Sequence, residues 1–156
     1  MADWVAEEIK RRDLQDCVLM LGRYPVERMP SFFKHADDLL VSLKDEPIIS
    51  MTIPGRLQSY FAAGIPVVAM LNGEGAEVVK ISRSGLTCPA GDHHGLAAAV
   101  LKLSEMTGEE REAMGRNGLS VSAREFDRGT LMDGLEGWIE KLKAEAISAS
   151  ASRGRR

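Results

Sequence analysis

The stretch PGRLQSYFAAGIPVVAMLNGEGAE, Pro54 to Glu77, holds an entire α/β ligand-binding unit: helix, tight turn, buried strand, glycine loop and second helix. Pro54 suits the start of a helix because its missing N–H would be an orphan donor there, and Leu57, Tyr60 and Phe61 then recur at helical spacing. Gly64-Ile65-Pro66 ends that helix. Val67 to Leu71 is an uninterrupted apolar run, the pattern of a parallel strand covered on both faces. Asn72-Gly73-Glu74-Gly75 follows at its carboxyl end, where open α/β sheets bind ligands.

Composition sets the limits around this unit. With 156 residues, 44% hydrophobic and 28% charged, the chain is expected to be one soluble domain that buries about 70% of the surface exposed when unfolded. No apolar run approaches the ~20 residues of a membrane span. Met1 to Arg12 is charged and amphipathic rather than a signal peptide, so the expected compartment is the cytoplasm. A net charge of −3 without aromatic-rich basic clusters argues against nucleic acid as a partner. Cys17 and Cys88 stand apart beside strand-like residues and read as small buried hydrophobes.

Outward from the centre, Trp4, Val5, Glu8 and Ile9 predict a short helix ending near Arg12, and Cys17 to Leu21 predicts a strand broken at Gly22. Arg28 to His35 reads as a helix with Met29, Phe32 and Phe33 inward, and Leu39 to Leu43 as a second buried strand. Beyond Glu77 the helix finishes at Ser82, Gly85 to Cys88 makes a strand, and Asp92 caps a helix carrying Leu96, Val100 and Leu103. Thr107-x-x-Glu110 is a capping box for the next helix. A last amphipathic helix spans Thr130 to Ala146, within a domain of residues 1–146, and residues 147–156 are expected to be a disordered tail, touching a membrane at most peripherally.

About four strands against seven helices make an α/β, Rossmann-like parallel sheet with helices on both faces, short of the six strands of a doubly wound fold. The absent strands would precede Trp4, and the sheet edge they leave open predicts self-association or a docking partner.

LGRYP at 21–25, HADDLLVSLKDEPI at 35–48, IPGRLQSYFAAGIPVVA at 53–69, NGEGAEVV at 72–79 and GLTCPAGD at 85–92 together resemble the carboxyl-terminal domain of GT-B glycosyltransferases of family 4. The resemblance covers Trp4 to Leu142 in order, and is closest to bacterial members that build cell-surface polysaccharides. It implies half of a GT-B fold, incomplete at the amino terminus. It further implies binding of a nucleotide sugar, a UDP-sugar, for retaining transfer to a polysaccharide or lipid-linked acceptor, with neither a metal nor a further cofactor.

The same resemblance assigns residues. Gly22, Arg23 and Tyr24 lie near the base, where Tyr24 is either a stacking surface or a plain surface aromatic. Thr52 to Arg56 approaches the diphosphate, with the amides of Gly55 and Arg56 as donors at a helix amino terminus. Arg56 adds charge there or faces solvent. Gly73, Glu74 and Gly75 form the loop facing the sugar, with Glu77 at the matching acidic position; Glu74 and Glu77 either serve that loop or are structural carboxylates at a helix amino terminus.

Two departures stand out. The family's pair of glutamates falls here on Met51 and Ser59, so one hydroxyl replaces the carboxylate that holds the ribose. The phosphate-clamping arginine and lysine, and the acceptor domain, have no counterpart, so the chain alone is expected to be inactive and to need a separate acceptor-binding half. Two rival readings remain: a non-catalytic binding or assembly module or truncated product, and an NAD-binding fragment. The second rests on Gly73-x-Gly75, but Val78 stands where the third glycine of G-x-G-x-x-G belongs. His93-His94 and His35 carry no ligand spacing for a metal.

Overall fold

Strand β2 (Val67–Met70) is the centre of a three-stranded parallel sheet in the computed structural model, flanked by β1 (Leu39–Ser42) and β3 (Gly85–Cys88). Its register pairs Val67 with Leu39 on one side and with Gly85 on the other. The structure describes residues 2–153, with side chains described through residue 146. The chain forms two units, residues 1–32 and 33–156.

In the second unit the apolar run of β2 is covered on both faces, as its continuity predicts. Val67, Ala69 and Leu71 join Val41, Leu57, Phe61, Val79 and Val121 in one core. Val68 points the other way, against Ala99 and Leu103. The first face is therefore roofed by α4 (Gly55–Ala63), α5 (Glu74–Ser82) and α7 (Gly108–Val121), and the second by α6 (His93–Glu105). The fold is α/β, a Rossmann-like parallel sheet with helices on both faces.

Local chemistry explains the helix boundaries. Gly64 ends α4 in the left-handed region at φ 69°, with its N–H donating to the Phe61 carbonyl at 3.0 Å. A β-carbon on Gly115 of α7 would collide with the Gly64 carbonyl, so glycine at 115 lets α7 rest directly on the end of α4. Asp92 caps α6 by accepting from the Gly95 N–H at 2.8 Å. Thr107 and Glu110 form the reciprocal capping box of α7. A π-helical turn, Ser122–Phe126, follows α7 and stacks Phe126 on Phe61 with ring centroids 6.2 Å apart.

Several expectations change. The sheet has three strands among the described residues, because Cys17 to Leu21 does not form one. The Leu14 carbonyl accepts from the amides of Cys17 and Val18, turning the segment locally, and no neighbouring strand competes for those donors. Cys17 is consequently exposed, whereas Cys88 is buried as expected. β1 is not buried throughout: Leu39 and Val41 face in while Leu40 and Ser42 are exposed. It pairs on one side only, which leaves an open edge in the described sheet.

A short helix, α3 (Pro47–Ser50), lies between β1 and α4. On α6, Ala99 rather than Val100 shares the buried face with Leu103. The final helix α8 runs from Arg128 to Arg153, so its backbone continues into the segment expected to be a disordered tail, while 154–156 lie outside the described residues.

The first unit contains α1 (Ala2–Arg11), a loop, a 3₁₀ turn at Val26–Arg28 and most of α2 (Met29–Phe33). Glu8 receives both Arg11 and Arg12, and the hydrogen bonds from these guanidinium groups, Arg11 foremost, lower its carboxyl to about 2. The Tyr24 ring packs on Phe32 with centroids 4.8 Å apart.

Candidate functional site

The carboxyl ends of the three strands carry the loops that the sequence singles out. After β1 come Leu43 to Glu46 and α3, after β2 the segment Leu71–Gly73, and after β3 the turn Pro89–Asp92. Asn72 joins all three. Its amide nitrogen donates to Asp45 Oδ1 at 2.9 Å, and its amide oxygen accepts from the Ala90 N–H at 3.1 Å. Sequence reading places Asn72 in the glycine loop without giving it a role, since neither partner is near it in the chain.

Two helix amino termini meet at this rim. Gly75, in the first turn of α5, is buried, and a β-carbon there would lie 2.9 Å from Leu71 Cδ1 and 3.2 Å from Pro54 Cδ. Pro54 is the residue that opens α4. Gly73 adopts φ 76°, and a β-carbon there would collide with the Ser50 backbone, so glycine is required on both counts. These close approaches are to protein. The α-carbons of Gly73 and Gly75 are thus occupied by packing, and only their loop's amides remain for a ligand.

The capping pattern separates these helices from their neighbours. α6 and α7 are closed by Asp92 and Thr107, but neither α4 nor α5 has a side-chain cap. Leu57 and Gln58 donate to the Pro54 carbonyl, which leaves the Gly55 and Arg56 amides without an acceptor among the described residues. In α5 the Glu77 N–H returns to the Gly73 carbonyl, and the amides of Glu74, Gly75 and Ala76 have none. Each uncapped terminus carries roughly half a positive charge from its helix dipole.

Side chains around the rim divide by availability. Gly55 has open space around its α-carbon, and Arg56 is exposed with no hydrogen bond or ion pair among the described residues. Thr52 Oγ1 donates to the Ile49 carbonyl at 3.1 Å, closing the end of α3. Ser59 Oγ donates to the Gly55 carbonyl at 3.1 Å, so its proton is spent inside α4 and only lone pairs are free. Glu74 is exposed in the first turn of α5, while Glu77 pairs with Lys80 at 3.0 Å along the helix surface. Tyr60 donates to the Leu40 carbonyl at 3.3 Å, and burial pushes its phenol up.

Thr52, Gly55, Arg56, Ser59, Gly73, Glu74 and Gly75 are therefore brought to one rim. Gly22, Arg23 and Tyr24 belong to the unit of residues 1–32; Gly22 is exposed at φ 83°, and Tyr24 is half exposed. Among the described residues no three His, Cys, Asp or Glu side chains cluster as a metal site would require. The buried Cys88 thiol is pushed up by desolvation and by the Asp92 charge, which keeps it protonated and unreactive. No described helix is long and apolar enough to cross a membrane.

Comparison with known proteins places the chain in a family. A stretch of 94 residues, 60% of the chain, is 36% identical to the amylovoran biosynthesis glycosyltransferase AmsK of Erwinia amylovora. It spans 23% of that relative's length. The family described as glycosyl transferases group 1 matches residues 2–106, two thirds of the chain, and the chain belongs to that family.

Proposed function

We propose that residues 33–156 hold the diphosphate of a nucleotide sugar, a UDP-sugar, at the rim between α4 and α5. The observation carrying this reading is the pair of uncapped helix amino termini packed together through Gly75 and Pro54. Five amides without acceptors, two dipole ends and the free Arg56 guanidinium suit a group with two or more negative charges. Glu74 is positioned at the same rim to accept from sugar hydroxyls. Membership of the glycosyltransferase family supplies the reaction class, and the resemblance of the ordered motifs supplies retention of configuration and a polysaccharide or lipid-linked acceptor.

Transfer by this unit further requires an acceptor-binding half. The open edge of β1 and the exposed apolar stripe of α8, from Leu131 to Leu142, support a partner or self-association. The dinucleotide reading is weaker. In that fingerprint the second glycine lets backbone approach the pyrophosphate, whereas Gly75 is packed against Leu71 and Pro54.

Titration calorimetry with UDP, UMP and NAD tests the proposal. UDP should bind, UMP more weakly because it lacks the second phosphate, and NAD not at all. Arg56→Ala should weaken UDP about tenfold and reduce the salt dependence of binding. Absence of UDP binding at millimolar concentration, or equal affinity for UDP and UMP, overturns it. Intrinsic fluorescence is a poor substitute, because Trp4 and Trp138 are both exposed and lie on α1 and α8.

A further inference from the structure

We infer that Asn72 is the positioning residue of the rim, holding the three strand-end loops in one arrangement so that the amino terminus of α5 is preset for its ligand. The inference rests on the nucleotide-binding reading of that rim.

The bonding of Asn72 is specific to an amide. One end must donate, because Asp45 Oδ1 at 2.9 Å is a carboxylate oxygen and can only accept when ionised. The other end must accept, because its partner at 3.1 Å is the Ala90 backbone N–H. No other uncharged side chain of this length offers a donor and an acceptor in a fixed fork. The two partners lie 27 residues before it and 18 residues after it, on the loops that follow β1 and β3. β2 is the central strand, so the loop leaving its carboxyl end, where Asn72 stands, lies between the loops that leave the two outer strands.

The next residue converts this tie into ligand geometry. Gly73 is the N-cap of α5 and is packed against the Ser50 backbone, so it cannot absorb displacement on the side of α3. With Asn72 held from both sides, the three free amides of Glu74, Gly75 and Ala76 are fixed in direction before any ligand arrives. Preset donors avoid the ordering cost that mobile loops incur on binding.

The test is a substitution cycle read by hydrogen exchange and UDP affinity. Asn72→Asp keeps the acceptor for Ala90 but sets two carboxylates against each other at Asp45. At pH 7 it should increase amide exchange in residues 44–46 and 89–92 and weaken UDP at least tenfold. Asn72→Asp with Asp45→Asn reverses donor and acceptor and should restore near wild-type affinity at pH 7. Asn72→Leu should lose affinity at every pH.

If wild-type protein binds UDP and Asn72→Asp binds equally well at pH 7, or the double variant fails to recover while remaining folded by circular dichroism, the assignment of Asn72 is wrong and the nucleotide reading stands. Failure of wild-type protein to bind UDP removes both.

Discussion

A β-carbon on Gly75 would stand 3.2 Å from Cδ of Pro54, so the first turn of α5 rests on the residue that opens α4. Two helices that follow different strands thereby present their uncapped ends to the same crevice. The contact also separates glycines kept for packing from glycines kept for access, and that difference can be measured.

Gly75→Val must push on Leu71 and Pro54, and overpacking of this kind costs about 1–3 kcal/mol. Gly55→Ala meets nothing within 4 Å and should leave stability unchanged or raise it by about 0.4–1 kcal/mol through reduced freedom of the unfolded chain. The binding effects should be reversed in rank relative to stability. Gly55→Ala places a methyl at the open approach and weakens UDP without unfolding the protein. Urea denaturation beside calorimetry checks both, and a stable Gly75→Val variant would refute the packing account.

Phe61 is fully buried and stacks on Phe126 of the π-helical turn. Phe61→Ala should therefore cost about 3–5 kcal/mol, the range for truncating a core aromatic. The loss should appear in the unfolding midpoint, and Phe61→Leu should recover most of it. A loss below about 1 kcal/mol would mean that α4 and the π-helical turn do not share one core.

Asp92 accepts from the Gly95 N–H and closes the amino terminus of α6. Asp92→Ala should cost about 1 kcal/mol, while Asp92→Ser or Asp92→Asn should retain most of the stability because either supplies a capping oxygen. Thermal unfolding monitored at 222 nm distinguishes them. Equal midpoints for the alanine and serine variants would deny the cap.

Acid should weaken the α7–α8 region through two exposed carboxylates. The backbone N–H of Thr107 holds Glu110 below the usual carboxylate range, and that of Thr130 does the same for Asp127. Their folded pKa values lie below the unfolded ones. The stabilisation is complete above the unfolded values near 4 and is lost as the pH falls through the folded values. Urea midpoints should fall between pH 5 and pH 2, and less so in a Glu110→Gln, Asp127→Ser variant. Identical pH slopes for variant and wild type would rule the two groups out.

What was legible in the sequence shared one property: the relevant interactions are local or repeat along one element. Pro54 and Gly64 bound α4, Asp92 caps α6, and Thr107 with Glu110 boxes α7, because each cap joins residues at most four apart. The continuous apolar run Val67–Leu71 announced a strand covered on both faces, since alternate side chains of one strand must point to opposite layers.

Tertiary structure alone decided the rest. Cys17 to Leu21 has strand-like residues, but a strand exists only with a hydrogen-bonding neighbour, and in this segment the Leu14 carbonyl takes two amides first. The Asn72 tie spans loops far apart in the chain, and the jam of Gly73 on Ser50 depends on the placement of α3. Whether a glycine admits a ligand or a neighbouring residue depends on which atoms occupy the space a side chain would fill. That space is created by packing between elements, so Gly55 and Gly75 look alike in the sequence and differ only once the chain is folded.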